Sequence, residues 1–209
     1  MHSIWQTVTE FFRIVLLKSP PQDLPASTGV LYLSVMMAFL VGILRYAIVG
    51  GGYWSLFRSL LEVAVPGVIL FFLLVFFKLP ARFGQSFSAL CGTSAIIYFF
   101  ALPVLPAFHA AASNASYNLS VYLIIALDLW SLVVVAFILK HTLGVGFATG
   151  VSLAIAVGLS AFIVIESIAP VPDSIAPAQD SIANRTGSTA MQHRPTELPV
   201  AFHTLQVAG

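Results

Sequence analysis

Residues 118–141 read NLSVYLIIALDLWSLVVVAFILKH, and this stretch decides the fold class. It is long enough to cross a bilayer, because a transmembrane helix needs about 20 mostly apolar residues to span roughly 30 Å of hydrocarbon. Near its middle lies one acidic residue, Asp128. A carboxyl group at that depth is costly unless it is paired, protonated or facing water. Asp128 is therefore the candidate functional residue of the predicted spans.

The composition of the whole chain agrees with a membrane location. Of its 209 residues, 59% are hydrophobic and only 8% are charged, whereas soluble domains carry about 25% charged residues. The lipid bilayer is thus the first expected partner. The net charge of +1 gives no basis for a nucleic-acid partner. A single cysteine, Cys91, excludes an intramolecular disulfide and a cysteine-based metal cluster.

The N-terminal residues 3–17 predict an amphipathic helix. Apolar residues recur there at helical spacing, with Glu10 and Arg13 between them. The segment is too short and too charged to span a membrane, and it resembles no secretory signal peptide. We expect it to lie in the membrane surface with Trp5 at headgroup depth. The alternative is an ordinary helix packed on the end of the bundle.

The pattern predicts an all-α polytopic integral membrane protein with about five transmembrane helices. The expected spans cover residues 28–49, 60–77, 86–105, 118–141 and 143–165. Residues 1–26 form the amphipathic helix and a proline-rich linker, residues 27–166 the transmembrane domain, and residues 167–209 a polar tail expected to be disordered. If the helix within residues 53–77 is re-entrant, four spans remain.

Few charged side chains fall near the predicted spans. Glu62 lies one turn from Arg58, so we expect an ion pair within that helix, and Arg45 is expected to extend toward the interface. Hydroxyl groups are the expected partners of a neutral Asp128, and the candidates are Ser88, Thr93, Ser94 and Ser131. A conducting pathway normally shows several polar groups on successive spans. One deep charge therefore favours a structural role for Asp128 over transport.

The last predicted span carries small residues four apart, on one helical face. They are Gly146, Gly150, Ala154 and Gly158. Such a stripe lets two helix backbones approach closely in a membrane. Its partner could be a helix of this chain, a second copy in a homo-oligomer, or another membrane protein.

The distribution of basic residues predicts the orientation of the chain. The segments expected on the N-terminal side hold five of them, namely Arg13, Lys18, Lys78, Arg82 and Lys140, against Arg45 and Arg58 on the other side. The positive-inside rule then places the N-terminus in the cytoplasm and the C-terminal tail outside. We expect a cell membrane location, in a bacterial inner membrane.

The sequence contains no pattern typical of an enzyme. It lacks a Walker A loop, HExxH, GxSxG and His/Cys metal spacing. The histidines are His2, His109, His141, His193 and His203, all expected at helix ends, in loops or in the tail. We therefore expect a protein that is not an enzyme and has no cofactor, metal or catalytic residue.

Residues 5–166 resemble the Yip1-type five-helix membrane proteins and their small bacterial relatives. The stretches KLPARFGQSFSALCGTSAI (residues 78–96) and WSLVVVAFILKHTLGVG (residues 130–146) carry most of the similarity, after an amphipathic segment and the linker LLKSPPQDLPAS. The resemblance implies five helices, no catalytic residues, and a scaffold or adaptor role through helix packing and partner interaction. The alternatives are a small transporter or channel component that uses Asp128, or an accessory subunit of a membrane complex.

Overall fold

The described part of the chain is built from α-helices. The computed structural model describes residues 4–48, 53–113 and 119–170, in which no strand occurs. The helices are α1 (Ile4–Val15), α2 (Thr28–Ile48), α3 (Trp54–Phe76), α4 (Phe83–Ala101), α5 (Leu105–Ser113), α6 (Leu119–Leu143) and α7 (Phe147–Ile168). The predicted all-α class is confirmed. Nearly all of the predicted tail, from residue 171 onward, lies outside the described residues.

Four of these helices are long and apolar enough to cross a membrane, namely α2, α3, α6 and α7. They indicate a membrane location. The helix α3 continues unbroken through Pro66, so the re-entrant alternative is not observed. The predicted third span corresponds to α4, which is less apolar than these four helices. Ten of its residues are buried within the bundle, and many of those are small or polar. The count of five spans is therefore not confirmed.

Five helices form a ring in the order α2, α3, α7, α6, α4, and the contact between α4 and α2 closes it. Small residues allow the close contacts. A methyl group added at Gly42 would lie 3.1 Å from Ser59 on α3, and one added at Gly150 would lie 2.7 Å from the carbonyl oxygen of Ala136 on α6. Close approach of this kind replaces the hydrophobic drive that lipid cannot supply between helices.

One end of the ring, which we call the basic end, is closed. It carries Lys78, Arg82 and Lys140, and its interior is filled by Leu70, Leu74, Ala136, Leu139, Leu143 and Ala154. Side chains also bind the backbone of neighbouring segments: the Arg82 guanidinium donates to the carbonyl of Thr142 at 2.8 Å, and the Gln22 amide donates to that of His141 at 2.8 Å. These contacts satisfy carbonyls that the end of α6 leaves without helical partners.

The N-terminal helix α1 packs along the side of the ring. Phe11 and Ile14 are fully buried, and the Phe11 ring lies against Gly92, the midpoint of α4. Trp5 is 79% exposed. The apolar face of α1 is thus used within the bundle, and the position in the membrane surface is not confirmed. The segment after α4 contains the short helix α5.

Candidate functional site

The ring surrounds a partly open cavity of about 520 Å³ away from the basic end. All five ring helices line it. The polar lining residues are Arg45, Ser59, Glu62, Ser94, Tyr98, Asp128 and Ser131. The remaining wall is mostly apolar and includes Val63, Leu132, Val135 and Phe162. The volume falls within the range of about 300–1,000 Å³ that is typical of small-molecule pockets.

Arg45 joins three helices at this cavity. It is at the end of α2 and donates to both carboxylate oxygens of Glu62 on α3. Its guanidinium carbon lies 4.7 Å from the centre of the Tyr98 ring on α4. Arg45 is therefore held by an ion pair on one side and a cation–π contact on the other, and both orient its fork of donors.

Arg58 extends the same network to α7. Its Nε atom donates to the hydroxyl of Tyr46 at 2.7 Å, and that hydroxyl donates to Glu62. Arg58 also pairs with Glu166 and donates to the carbonyl of Ala169, at the end of α7. The Arg58 side chain is only 8% exposed. A continuous polar network thus connects α2, α3 and α7 at one end of the ring.

The sequence-based expectation of an ion pair between Arg58 and Glu62 is wrong. The two residues do not pair with each other, because α2 and α7 flank α3 and supply each of them with a separate partner of opposite charge. The Arg45 side chain is 19% exposed and packs over Tyr98, and its extension toward the membrane interface stays a prediction. The difference in pairing arises from contacts between helices distant in sequence.

Asp128 faces the same cavity from α6. Its side chain is exposed, and it forms no hydrogen bond or ion pair within the described segments, although Arg45 acts on it electrostatically. The hydroxyl partners proposed from the sequence do not bind it. Thr93 donates to the carbonyl of Ala89 and Ser88 to that of Gly84, each at 2.7 Å, while Ser94 and Ser131 line the cavity.

Ser59 belongs to the cavity wall, but its hydroxyl oxygen is buried and makes no hydrogen bond to any described residue. Leaving a buried hydroxyl unsatisfied costs about 1–3 kcal/mol. Ser59 is only 1% exposed and packs beside Gly42 of α2. Asp128 is therefore the lining group whose hydrogen-bonding capacity is available to a molecule in the cavity.

The small-residue stripe on α7 divides into parts with different surroundings. Gly150 packs on the backbone of Ala136, and Ala154 is 1% exposed in the core, so α6 of the same chain covers the middle of the stripe. Added methyl groups at Gly146 and Gly158 would meet no atom of the described residues within 4 Å. Gly158 lines the cavity. A packing role for the stripe toward a second protein stays a prediction.

The sequence pattern indicates Asp128 as a candidate, but it does not show that Arg45, Glu62 and Glu166 lie together. In an up-and-down bundle, the end of α2, the start of α3 and the end of α7 lie on the same side. That alternation was the available signal, and it predicts two basic and two acidic side chains on one side of the ring.

No protein-family model, curated protein or solved structure matches the chain. The class of protein therefore follows from the helices themselves, which are compatible with an all-α integral membrane protein. No group of three His, Cys, Asp or Glu side chains that could hold a metal ion occurs in residues 4–48, 53–113 and 119–170. The chemistry that the cavity offers is ion pairing and hydrogen bonding inside an apolar wall.

Proposed function

We propose that the protein binds a small solute in the cavity of its helix ring and acts as a small transporter or as a component of one. The observation that carries the proposal is a cavity of about 520 Å³ lined by charged or hydroxyl-bearing side chains from four helices. Polar groups on successive spans are what a pathway through a membrane normally requires. The sequence-based argument against transport rested on one deep charge, and the assembled ring supplies several.

Release of a solute at the basic end requires that end to open. There α3 meets α4 where Gly67 lies against the Phe87 ring, and Arg82 and Gln22 bind the carbonyls at the end of α6. Opening would separate this contact, these hydrogen bonds and the apolar cluster that fills the basic end, and a second packing of the same helices would have to replace them. The proposed cycle alternates between the observed ring and one that is open at the basic end.

The same proposal places α4 across the membrane as a fifth span. A helix of 19 residues is about 28 Å long, close to the hydrocarbon thickness. Arg45 and Arg58 are each neutralised by a glutamate. The excess of positive charge therefore lies at the basic end. This supports a cytoplasmic basic end and N-terminus with the C-terminal tail outside. A bacterial inner membrane stays the expected location.

The test is a substitution that fills the cavity. Gly158→Phe has room for its side chain, because no atom in the described part of the chain lies within 4 Å of a methyl group added there. We expect the variant to fold and to lose at least nine-tenths of the current that wild-type proteoliposomes give with a panel of cationic, anionic and zwitterionic solutes. The measurement is solid-supported membrane electrophysiology, with Asp128→Asn run in parallel.

Gly84→Phe is the matched control for this experiment. Gly84 is also helical and open around its added methyl group, but it lies at the basic end of α4, outside the cavity lining. The control is expected to keep the wild-type current. A current that survives in Gly158→Phe, or one that is absent for every solute with the wild type, would count against transport.

The scaffold or adaptor role that the Yip1-type resemblance implies stays the competing proposal, as does an accessory subunit of a membrane complex. Both require a stoichiometric protein partner. Affinity purification from native membranes in mild detergent, followed by mass spectrometry, distinguishes them from transport by a lone protein. A reproducible partner that is lost in a folded Gly146→Leu variant would favour interaction through the exposed part of the stripe.

A further inference from the structure

We propose that the solute is a lipophilic amine, a mostly apolar molecule with one protonated amino group, which binds with its ammonium group at Asp128. We further propose that it enters sideways, through a fork between α6 and α7. The inference rests on the proposed function, because it names the chemical class that the same cavity holds. Charge, hydrogen bonding, wall chemistry and helix spacing each contribute to it.

The balance of charge in the cavity favours a cation. Arg45 is neutralised by Glu62, and Arg58 by Glu166. Asp128 has no ion pair with any described residue and faces the open space. An anion in the cavity would be repelled by this carboxylate. It would also find no unpaired cation, because the lining cation, Arg45, already pairs with Glu62. An unpaired carboxylate is costly at membrane depth, and a bound cation would lower that cost by pairing with Asp128.

The hydroxyl groups of the wall suit an ammonium group in particular. A primary ammonium has three N–H donors to satisfy. Asp128 provides carboxylate oxygens, and Ser131, three residues further along α6, lies on the same helical face. Ser94 lines the cavity from α4. Asp128, Ser131 and Ser94 thus offer acceptor oxygens from two helices to an ammonium group.

The rest of the wall requires an apolar body. Val63, Leu132, Val135 and Phe162 present hydrocarbon or aromatic surface to the space. Burial of apolar surface stabilises a complex by roughly 25 cal/mol per Å². A small hydrophilic amine would gain little of this, so the wall selects a cation that carries a substantial apolar part.

The spacing of α6 and α7 provides the entrance. Near their connecting turn the two helices touch, because Gly150 lies against the backbone of Ala136. Toward the other end, Gly158 has open space around it, and Phe162 is 61% exposed although it lines the cavity. Asp128 is exposed on α6 in the same half of the ring. A molecule dissolved in the bilayer can therefore reach Asp128 between the two helices.

The test compares three ligands of equal chain length that differ in charge. Decylamine, decanol and decanoate are titrated calorimetrically into the full-length protein in phosphatidylcholine nanodiscs, and the heat from empty nanodiscs is subtracted. We expect decylamine to bind at least tenfold more tightly than the other two. This comparison uses only the wild-type protein, so it does not depend on a variant that folds.

Two variants locate the binding site. Asp128→Asn is expected to weaken decylamine binding at least tenfold while it leaves decanol binding unchanged. Glu10→Gln is the control, because Glu10 pairs with Arg13 on the exposed side of α1, outside the cavity. It should bind decylamine as the wild type does. Equal losses in both variants would overturn the assignment to Asp128.

The remaining outcomes separate the inference from the function it rests on. Tighter binding of decanoate or decanol than of decylamine would overturn the amine assignment and leave solute binding standing. Absence of binding by all three ligands, together with absence of current for every solute of the panel, would overturn both. Nanodiscs that contain phosphatidylethanolamine distinguish two sources of the amine. If this lipid competes with decylamine, the amine is a lipid headgroup; if it does not compete, the amine is a free one.

Discussion

Replacement of Arg58 by methionine is expected to lower the free energy of unfolding by about 3 kcal/mol, the lower end of the usual cost of removing one partner from a buried ion pair, because the Glu166 side chain left behind is 30% exposed. The Arg58 side chain is 8% exposed and contacts Glu166, Tyr46 and the carbonyl of Ala169. Its loss leaves a carboxylate and a carbonyl without their donor. The measurement is equilibrium unfolding in detergent, followed by circular dichroism.

The matched control is a second Arg–Glu pair, which is more exposed to solvent and is expected to contribute little to stability. Arg13 and Glu10 are three residues apart on α1, and the Arg13 side chain is 54% exposed. Exposed pairs contribute about 0–1 kcal/mol, so Arg13→Met should be nearly neutral. A double variant, Arg58→Met with Glu166→Leu, should recover part of the loss. Equal effects of Arg58→Met and Arg13→Met would mean that the network does not hold α7 to α3.

Replacement of Phe11 by alanine is expected to cost about 3–5 kcal/mol, as is usual when a buried aromatic ring is truncated. Phe11 is fully buried and fills the space beside Gly92 on α4. This loss of stability would show that α1 is part of the bundle. If α1 lay only in the membrane surface, the substitution would leave the stability of the bundle unchanged. Unfolding in detergent measures it.

Phe12→Ala is the control for this substitution, since it removes the same ring from the next position. Phe12 is 40% exposed and makes one edge-on contact with Phe100, at 6.5 Å between ring centres. Such a contact contributes about 0.5–1.5 kcal/mol, so the expected loss is small. A Phe12→Ala effect as large as that of Phe11→Ala would contradict the packing of α1 described above.

The sequence predicted the helical class and most helix positions because apolar periodicity and length are local properties. The stretch around Asp128 became α6, and Gly150, Ala154 and Gly158 of the predicted stripe lie on α7. Gly146 precedes that helix in extended backbone and is not part of its face. The third predicted span was harder to judge. A helix surrounded by protein needs less hydrophobicity than one surrounded by lipid, and α4 with its buried Ser88 and Thr93 is of that kind.

The site was less predictable because it depends on contacts between helices far apart in the chain. The pair of Arg45 with Glu62 and the pair of Arg58 with Glu166 span 17 and 108 residues. Local spacing suggested a pair within α3 instead, since Arg58 and Glu62 are four apart. Which of two partners an arginine takes is decided by the ring order of the helices, and hydrophobic pattern alone does not specify that order.

The central claim is that the helix ring holds a polar cavity that admits a solute. It is tested most directly by thiol labelling at Ser131, in a Cys91→Ala background and in nanodiscs, with a sulfonated, membrane-impermeant maleimide. Asp128 lies nine residues from the start of α6, about 14 Å along the helix axis, so Ser131 is deep in the bundle. We predict that Ser131→Cys reacts at least tenfold faster than Val134→Cys, which places a thiol on the same helix at a position only 1% exposed. Equal and slow labelling at the two positions would contradict the claim, because a charged reagent would then find no polar path into the ring.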